Sequence, residues 1–246
     1  MGESLKTAVI TGASRGIGHA TARCFLDRGW RIVTCSRESL PDDAKRDPNW
    51  IDHIPTDLSD TESLNAFVAK VGVILGDGPL HGLVNNAGVS PKSPHKERLG
   101  CLNGDLGAWR QVFDLNFYAP LKLARGFAGA LHRGKGAIVN VTSIAGHRIH
   151  PFAGSAYSVS KAALSALTRE LANEFAALDV RVNAVAPGEI ETDMIQPEYE
   201  VLIPRIPMDR MGSPEDCART IYFLCAEDSG YVTGTEIWIT GGQHLF

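Results

Sequence analysis

Short runs of β-branched and other apolar residues alternate along the chain with longer stretches whose apolar positions recur about every three to four residues. Thr7–Ile10, Arg31–Cys35, Gly82–Asn85, Ala137–Val141, Val180–Val185 and Glu236–Ile239 read as strands. Between them, 17–28, 60–75, 107–132, 156–178 and 214–226 carry helical patterns, the third as one or two segments. The clearest helix is 156–178, with Leu164, Leu167, Leu171, Phe175 and Leu178 in one stripe. Strands apolar on both faces, alternating with helices, imply a parallel sheet covered on both sides. No repeat, low-complexity tract or linker divides the chain, so one doubly wound α/β domain over 1–246 is expected. Two stretches, 89–106 and 189–213, lack regular patterning. Irregular connections at the carboxyl ends of such strands are where ligands bind, and the second is predicted to be a lid.

Thr11-Gly12-Ala13-Ser14-Arg15-Gly16-Ile17-Gly18 follows the first strand and opens the first helix. A glycine-rich turn there brings backbone N–H groups and a helix N-terminus up to a pyrophosphate. It is not a phosphate loop of the Gly-Lys-Ser/Thr kind. After the second strand, where an acid would accept from the ribose hydroxyls of NAD, stand Ser36 and Arg37. A serine and a guanidinium suit a 2′-phosphate, with Arg15 as a second cation, so NADP(H) is expected over NAD(H). Tyr157 and Lys161 lie at i and i+4 and share a helix face. A neighbouring ammonium favours phenolate and suits the tyrosine to acid–base work. Ser143, after the strand 137–141, is placed to hydrogen-bond the same substrate oxygen.

Taken together, Thr11-Gly12-x-x-x-Gly16-x-Gly18, Asp57-Leu58, Asn85-Asn86-Ala87-Gly88, Asn116, Ser143, Tyr157-x-x-x-Lys161 and Pro187-Gly188 resemble the short-chain dehydrogenase/reductase family. The resemblance runs over nearly the whole chain and is nearest to the compact branch that includes 3-oxoacyl-thioester reductases. It implies a Rossmann-like sheet of about seven strands with helices on both faces. Tyr157 would protonate the carbonyl oxygen, Lys161 lower its pKa and bind the nicotinamide ribose, Ser143 hold the oxygen, and Asn116 support a relay water. Gly12, Ser14, Arg15, Gly16, Ile17 and Gly18 would cradle the pyrophosphate. Asp57 and Leu58 would meet the adenine, with Asn85, Ala87 and Gly88 on the adenosine side. Pro187, Gly188, Ile190 and Thr192 would flank the nicotinamide. For Asn86, bracing of the central strands is the competing expectation. Ser143 and Tyr157 stand 14 positions apart, one more than in many relatives, which lengthens His147–Phe152.

The expected activity is therefore interconversion of a carbonyl and a secondary alcohol, on a small-molecule or acyl-thioester substrate. The alternatives are an NAD-dependent alcohol or sugar dehydrogenase and a non-catalytic cofactor sensor. The family also implies a homotetramer built on paired long helices, and the apolar C-terminus Leu245-Phe246 agrees with it. Lys and Arg number 24 against 28 Asp and Glu, which offers nucleic acid or an anionic membrane no attraction. No run of about 18 apolar residues spans a bilayer. Cys24, Cys35, Cys101, Cys217 and Cys225 form no C-x-x-C pair and fit free thiols in the cytoplasm. His147-x-x-His150 lacks further ligands, so no metal is expected. Glu189, Glu191 and Asp193 near the lid are expected to be solvated, with Glu189 within reach of a substrate.

Overall fold

In the computed structural model, which describes residues 5–40, 47–93, 97–192 and 197–246, seven strands form one parallel sheet. They are β1 (Thr7–Thr11), β2 (Arg31–Ser36), β3 (Trp50–Pro55), β4 (Gly82–Asn85), β5 (Ala137–Val141), β6 (Arg181–Pro187) and β7 (Glu236–Ile239). The spatial order is β3-β2-β1-β4-β5-β6-β7. Chain direction across the sheet reverses between β1 and β4, and that switch point opens a crevice at the carboxyl ends of both strands.

Among the described residues six α-helices cover the two faces: α1 (Gly16–Leu26), α2 (Thr61–Leu75), α3 (Leu106–Phe113), α4 (Ala119–Gly134), α5 (Ser155–Phe175) and α6 (Pro214–Cys225). Side chains alternate across a strand, and β1 divides accordingly. Ala8 and Ile10 join Phe25 and Trp30 with Ile221 and Leu224 in the core under α1 and α6. Val9 joins Leu64, Phe67, Leu123, Phe127, Leu171 and Phe175 under α2, α4 and α5. Local chemistry sets the helix starts. Asp60 caps α2 by accepting from the Ser63 amide at 2.8 Å, and Ser213 with Asp216 forms a reciprocal capping box on α6.

Two elements differ from the sequence pattern. β3 was not among the strand runs: it is an edge strand whose Asp52 and His53 break the apolar run. The stretch 107–132 is one continuous helical path interrupted by a π-helical turn, Asp114–Tyr118, which turns Asn116 into the interior. No helix among the described residues is long and apolar enough to cross a membrane.

Candidate active site

The crevice is a cleft of about 380 Å³ running from the end of β2 to the start of α5. Its first wall is main chain. Gly12 takes φ +67°, and its amide donates to Cys35 O at 2.8 Å, which ties the glycine turn to the end of β2. α1 starts at Gly16 with no side-chain cap, leaving its first amides open to the cleft. Gly18 packs beneath this turn, where a Cβ would stand 2.1 Å from Gly12 O. Thr11 Oγ1 accepts from the Asn86 and Ala87 amides, both at 3.0 Å, and Asn86 Nδ2 donates to Thr11 O and Gly12 O. Asn86 thus braces the ends of β1 and β4.

At the β2 end, Ser36, Arg37, Asp57 and Leu58 line the cleft. Arg37 is exposed, and Ser36 Oγ donates to Glu38 O at 2.5 Å. Beneath it, His53 Nε2 lies 3.0 Å from both Ser36 Oγ and Glu38 O. Asp57 is held below the ordinary carboxylate range by hydrogen bonds from Ser59, with Arg37 assisting. Glu38, which the sequence pattern did not single out, stands 3.8 Å from Arg15 and puts a carboxylate beside one of the two cations.

At the other end, Ser143, Tyr157 and Lys161 face the cleft together with Pro187, Gly188, Ile190 and Thr192. Tyr157 occupies the first turn of α5, and Lys161 one turn later has its Nζ 5.7 Å from the Tyr157 ring centroid. Lys161 Nζ also donates to Val141 O at 2.6 Å, and burial pulls its ammonium down to about 8. The Tyr157 phenol is shifted upward rather than downward. Burial outweighs the neighbouring Ser143 hydroxyl, which favours the ionised form, and the Glu189 carboxylate adds to the rise.

Several expected residues are placed differently. Asn85 does not line the cleft: its Nδ2 donates to Asn140 Oδ1 at 2.8 Å between β4 and β5. Gly18 lies under the glycine turn and outside the lining, and Asn116 lies behind it. Asn116 Oδ1 accepts from the Val89 amide at 2.9 Å while Nδ2 donates to Val89 O and Ser160 Oγ, both at 3.1 Å. Glu189 is buried rather than solvated, in an ion-pair geometry with His150 at 2.8 Å. His147 turns to a different carboxylate, Glu236, at 2.9 Å, and no cluster of three metal-ligating side chains occurs among the described residues. Asp193 and Pro94 lie outside the described residues.

The loops over this end are tied by side chains. Arg98 Nε donates to Ala153 O at 2.7 Å and Nη2 to Ser155 Oγ at 3.3 Å, while Lys92 Nζ donates to Phe152 O. These bonds give Lys92 and Arg98, two of the polar residues of 89–106, a structural use. In the segment 189–213, Ile190 bridges to Gly212, and Tyr199, Leu202 and Met211 bury beside Phe152.

The family model described as Enoyl-(Acyl carrier protein) reductase matches residues 12–244. The chain belongs to the short-chain dehydrogenase/reductase family. It is 51% identical over 245 residues to Protein FixR of Bradyrhizobium diazoefficiens, covering 98% of this chain and 87% of that one. It is 46% identical to a short-chain oxidoreductase of Brucella ovis crystallised with a partially ordered NAD, at a TM-score of 0.82 over 96% of this chain and 100% of that one. Galactitol 2-dehydrogenase (L-tagatose-forming) of Cereibacter sphaeroides is 35% identical over 251 residues, 97% of this chain and 95% of that one. As a member of the family, the chain is an NAD(P)-dependent oxidoreductase. The cleft fits such a dinucleotide: the glycine turn leaves room where side chains would project, and the uncapped α1 amides suit a pyrophosphate.

Proposed function

We propose that this chain interconverts a carbonyl and a secondary alcohol with NADP(H) preferred over NAD(H), and that its substrate is a 3-oxoacyl thioester. The observation that carries the reaction type is the meeting of Ser143, Tyr157 and Lys161 at one end of a cleft whose other end is a glycine-built cradle. A bound nicotinamide supplies the hydride. Tyr157 gives its phenolic proton to the carbonyl oxygen, which Ser143 orients by hydrogen bonding. The Lys161 ammonium, 5.7 Å from the ring centroid, would favour the phenolate left behind and would hydrogen-bond the nicotinamide ribose. Asn116 holds the Val89 turn against α5 and would back a water that returns the proton.

Gly12, Ser14, Arg15, Gly16 and Ile17 would hold the pyrophosphate, with Gly18 setting the turn. Ser36, Arg37 and Arg15 would take the 2′-phosphate, and Asp57 and Leu58 the adenine. Ala87 and Gly88 would line the adenosine side, while Pro187, Gly188, Ile190 and Thr192 would flank the nicotinamide. The thioester class rests on two relatives, an acetoacetyl-CoA reductase of Rhizobium meliloti, 33% identical, and a 3-oxoacyl-[acyl-carrier-protein] reductase of Thermotoga maritima, 34% identical.

A second reading, an NAD-dependent alcohol or sugar dehydrogenase, is favoured by Glu38 beside Arg15 and by the galactitol-oxidising relative. Initial rates with NADPH and NADH against simple ketones, diketones, ketoses and acyl thioesters, and with polyols in reverse, separate the two. Thioester reduction by NADPH is the expected best pair. Polyol oxidation by NAD as the best pair would replace it with the second reading. Cofactor binding without any turnover would make the chain a sensor.

The assembly we infer is a homotetramer, supported by exposed apolar residues on the long-helix region (Tyr118, Val159) and at the C-terminus (Leu245, Phe246). The segment 189–213 would be its substrate lid. All five cysteines are unpaired, and burial pushes the Cys35, Cys217 and Cys225 thiols up to about 12, in keeping with a reducing cytoplasm.

A further inference from the structure

The turn that follows β7 reaches back to the catalytic end of the cleft. Gly241 and Gly242 both take left-handed backbone, at φ +58° and +90°, and the chain reverses there. The reversal brings Gln243, only 4% exposed, against Gly188, a cleft-lining residue. A Cβ on Gly188 would stand 2.9 Å from Gln243 Oε1 and 3.1 Å from Thr240 Cα, so the carboxamide occupies the space a side chain would need. Gln243 Nε2 donates to Glu189 Oε1 at 3.2 Å, while Gln243 Oε1 is buried with no hydrogen-bond partner. A buried, unpaired amide oxygen is costly, and the fold nonetheless holds it beside Gly188. Arg148, from the loop after β5, pins the turn from outside: its Nη1 donates to Gln243 O at 2.7 Å and to Phe246 O.

This contact falls where the 189–213 segment leaves the sheet. Gly212 N donates to Glu189 O and Glu191 N to Gly212 O, both at 2.9 Å. Those bonds join the two ends of one segment to each other and do not tie it to the sheet. The ties to the frame lie one step earlier and in side chains. Gly188 N donates to Ile239 O at 2.9 Å, and Glu189 Oε1 is met by Gln243 Nε2 and, at 2.8 Å, by His150 Nε2. The same turn carries a later part of the segment as well. Met208 N donates to Gly241 O at 3.1 Å, and Cβ positions on Gly241 and Gly242 would stand 2.7 Å from Ile206 Cγ2 and 2.9 Å from Pro207 Cγ.

We infer that Gln243 is a positioning residue for the nicotinamide end: it fills the side-chain space of Gly188 and, through Glu189, holds the root of the 189–213 segment to the sheet. The inference rests on the reading that Pro187, Gly188, Ile190 and Thr192 flank the nicotinamide. A glycine has the widest backbone freedom of any residue, and a wall built on one stays in place only if its neighbours fix it. Gln243 supplies that constraint from a turn 55 positions further along the chain.

Gln243→Ala removes the carboxamide, Arg148→Ala releases it while leaving it present, and Arg148→Lys keeps a donor on the turn. Steady-state rates are measured together with affinities for each dinucleotide and its adenosine fragment, NADPH with 2′,5′-ADP and NADH with ADP. Hydrogen exchange is followed at 188–192 and at the glycine turn, 12–18. In Gln243→Ala, kcat with the better cofactor falls about tenfold while the fragment Kd stays within about twofold. Exchange at 188–192 in the free chain quickens about tenfold, and exchange at 12–18 matches the wild type. Arg148→Ala loses about threefold in kcat, and Arg148→Lys recovers most of it. Equal quickening at 12–18, or a parallel loss of fragment affinity, would give Gln243 a role in general stability alone and overturn the inference. Wild-type kcat and exchange in both alanine variants overturn it too. The underlying reading is checked in the wild type, whose 188–192 amides gain protection from the dinucleotide and not from the fragment. Equal protection by both removes this segment from the nicotinamide, whatever the variants do.

Discussion

At the glycine-rich end of the cleft the walls are main chain: a left-handed Gly12, open amides at the start of α1, and strand ends tied by Thr11 and Asn86. At the catalytic end they are side chains brought from four separate stretches: Val89 and Ser90 after β4, Val141 to Ser143 at the end of β5, Tyr157 and Lys161 on the first turns of α5, and Ile190 and Thr192 after β6. A backbone-built wall tolerates few residue types at fixed local spacing. A side-chain-built wall depends on partners far apart in the chain, as with His150 and Glu189, 39 positions apart. The first end should therefore fail all at once when a Cβ intrudes, whereas the second should separate chemistry from binding residue by residue.

The largest expected separation is at Tyr157. Tyr157→Phe removes one hydroxyl from the cleft while the packing of α5 stays, so turnover should fall by about 10² or more with cofactor affinity nearly unchanged. Steady-state rates and fluorescence titration with NADPH measure both halves. Near-wild-type turnover would remove Tyr157 from its role.

Gly18→Ala attacks the opposite end. The new methyl would meet Gly12 O at 2.1 Å, a contact with backbone that must be relieved by moving the turn. Such overpacking costs about 1–3 kcal/mol, which as lost affinity is roughly one to two decades in cofactor Kd. An unchanged Kd would mean that the glycine turn has more slack than its geometry allows.

The legibility of the chain follows the same division. Six of the seven strands and the glycine turn were readable, because each is a local pattern with a local physical cause. β3 was not, since an edge strand pairs on one side only and Asp52 and His53 mask it. Asn85 was expected at the cofactor, yet its side chain is committed to Asn140 on a strand that lies far along the chain. Glu189 looked like one acid among several in a Pro-rich loop, and nothing nearby in the sequence names His150 or Gln243 as its donors. Glu38 was missed because Ser36 and Arg37 account for the position without it, and only folding brings it within 3.8 Å of Arg15.

Cofactor choice tests the junction between the two kinds of wall, where side chains stand on the main-chain cradle. Charge-assisted bonds to a 2′-phosphate from Ser36, Arg37 and Arg15 are worth roughly 1.5–3 kcal/mol each. NADPH should therefore exceed NADH by at least about tenfold in kcat/KM, one bond's worth. Glu38 acts against this, but its pair with Arg15 is exposed on both sides and such pairs are weak. Glu38→Gln should widen the preference by about threefold, within the reach of a weak exposed pair. Ser36→Asp with Arg37→Gln should invert it. Equal use of both cofactors by the wild type would show that Arg37 stays in solvent.

The smallest effect is expected where a side chain supports the catalytic end from behind. Arg98 donates to Ala153 O at 2.7 Å and to Ser155 Oγ at 3.3 Å, joining the 89–99 loop to the segment that leads into α5. Leu99 O accepts from the Ser155 amide at 2.8 Å, so the junction keeps a main-chain bond when Arg98 is shortened. Arg98→Ala leaves Ala153 O without its guanidinium donor but within reach of water, a loss of about 1 kcal/mol. In a domain of this size that lowers Tm by about 2–4 °C. The loosened junction adjoins Phe152, which packs against Tyr199, Leu202 and Met211 of the proposed substrate loop. Substrate KM should therefore rise by about threefold, with kcat less affected and the Kd for NADPH within error of wild type. Thermal unfolding, steady-state kinetics and cofactor titration read the three quantities separately. A parallel loss of NADPH affinity would show that the two ends move as one body, and the contrast between a main-chain wall and a side-chain wall would then describe construction alone and not independence.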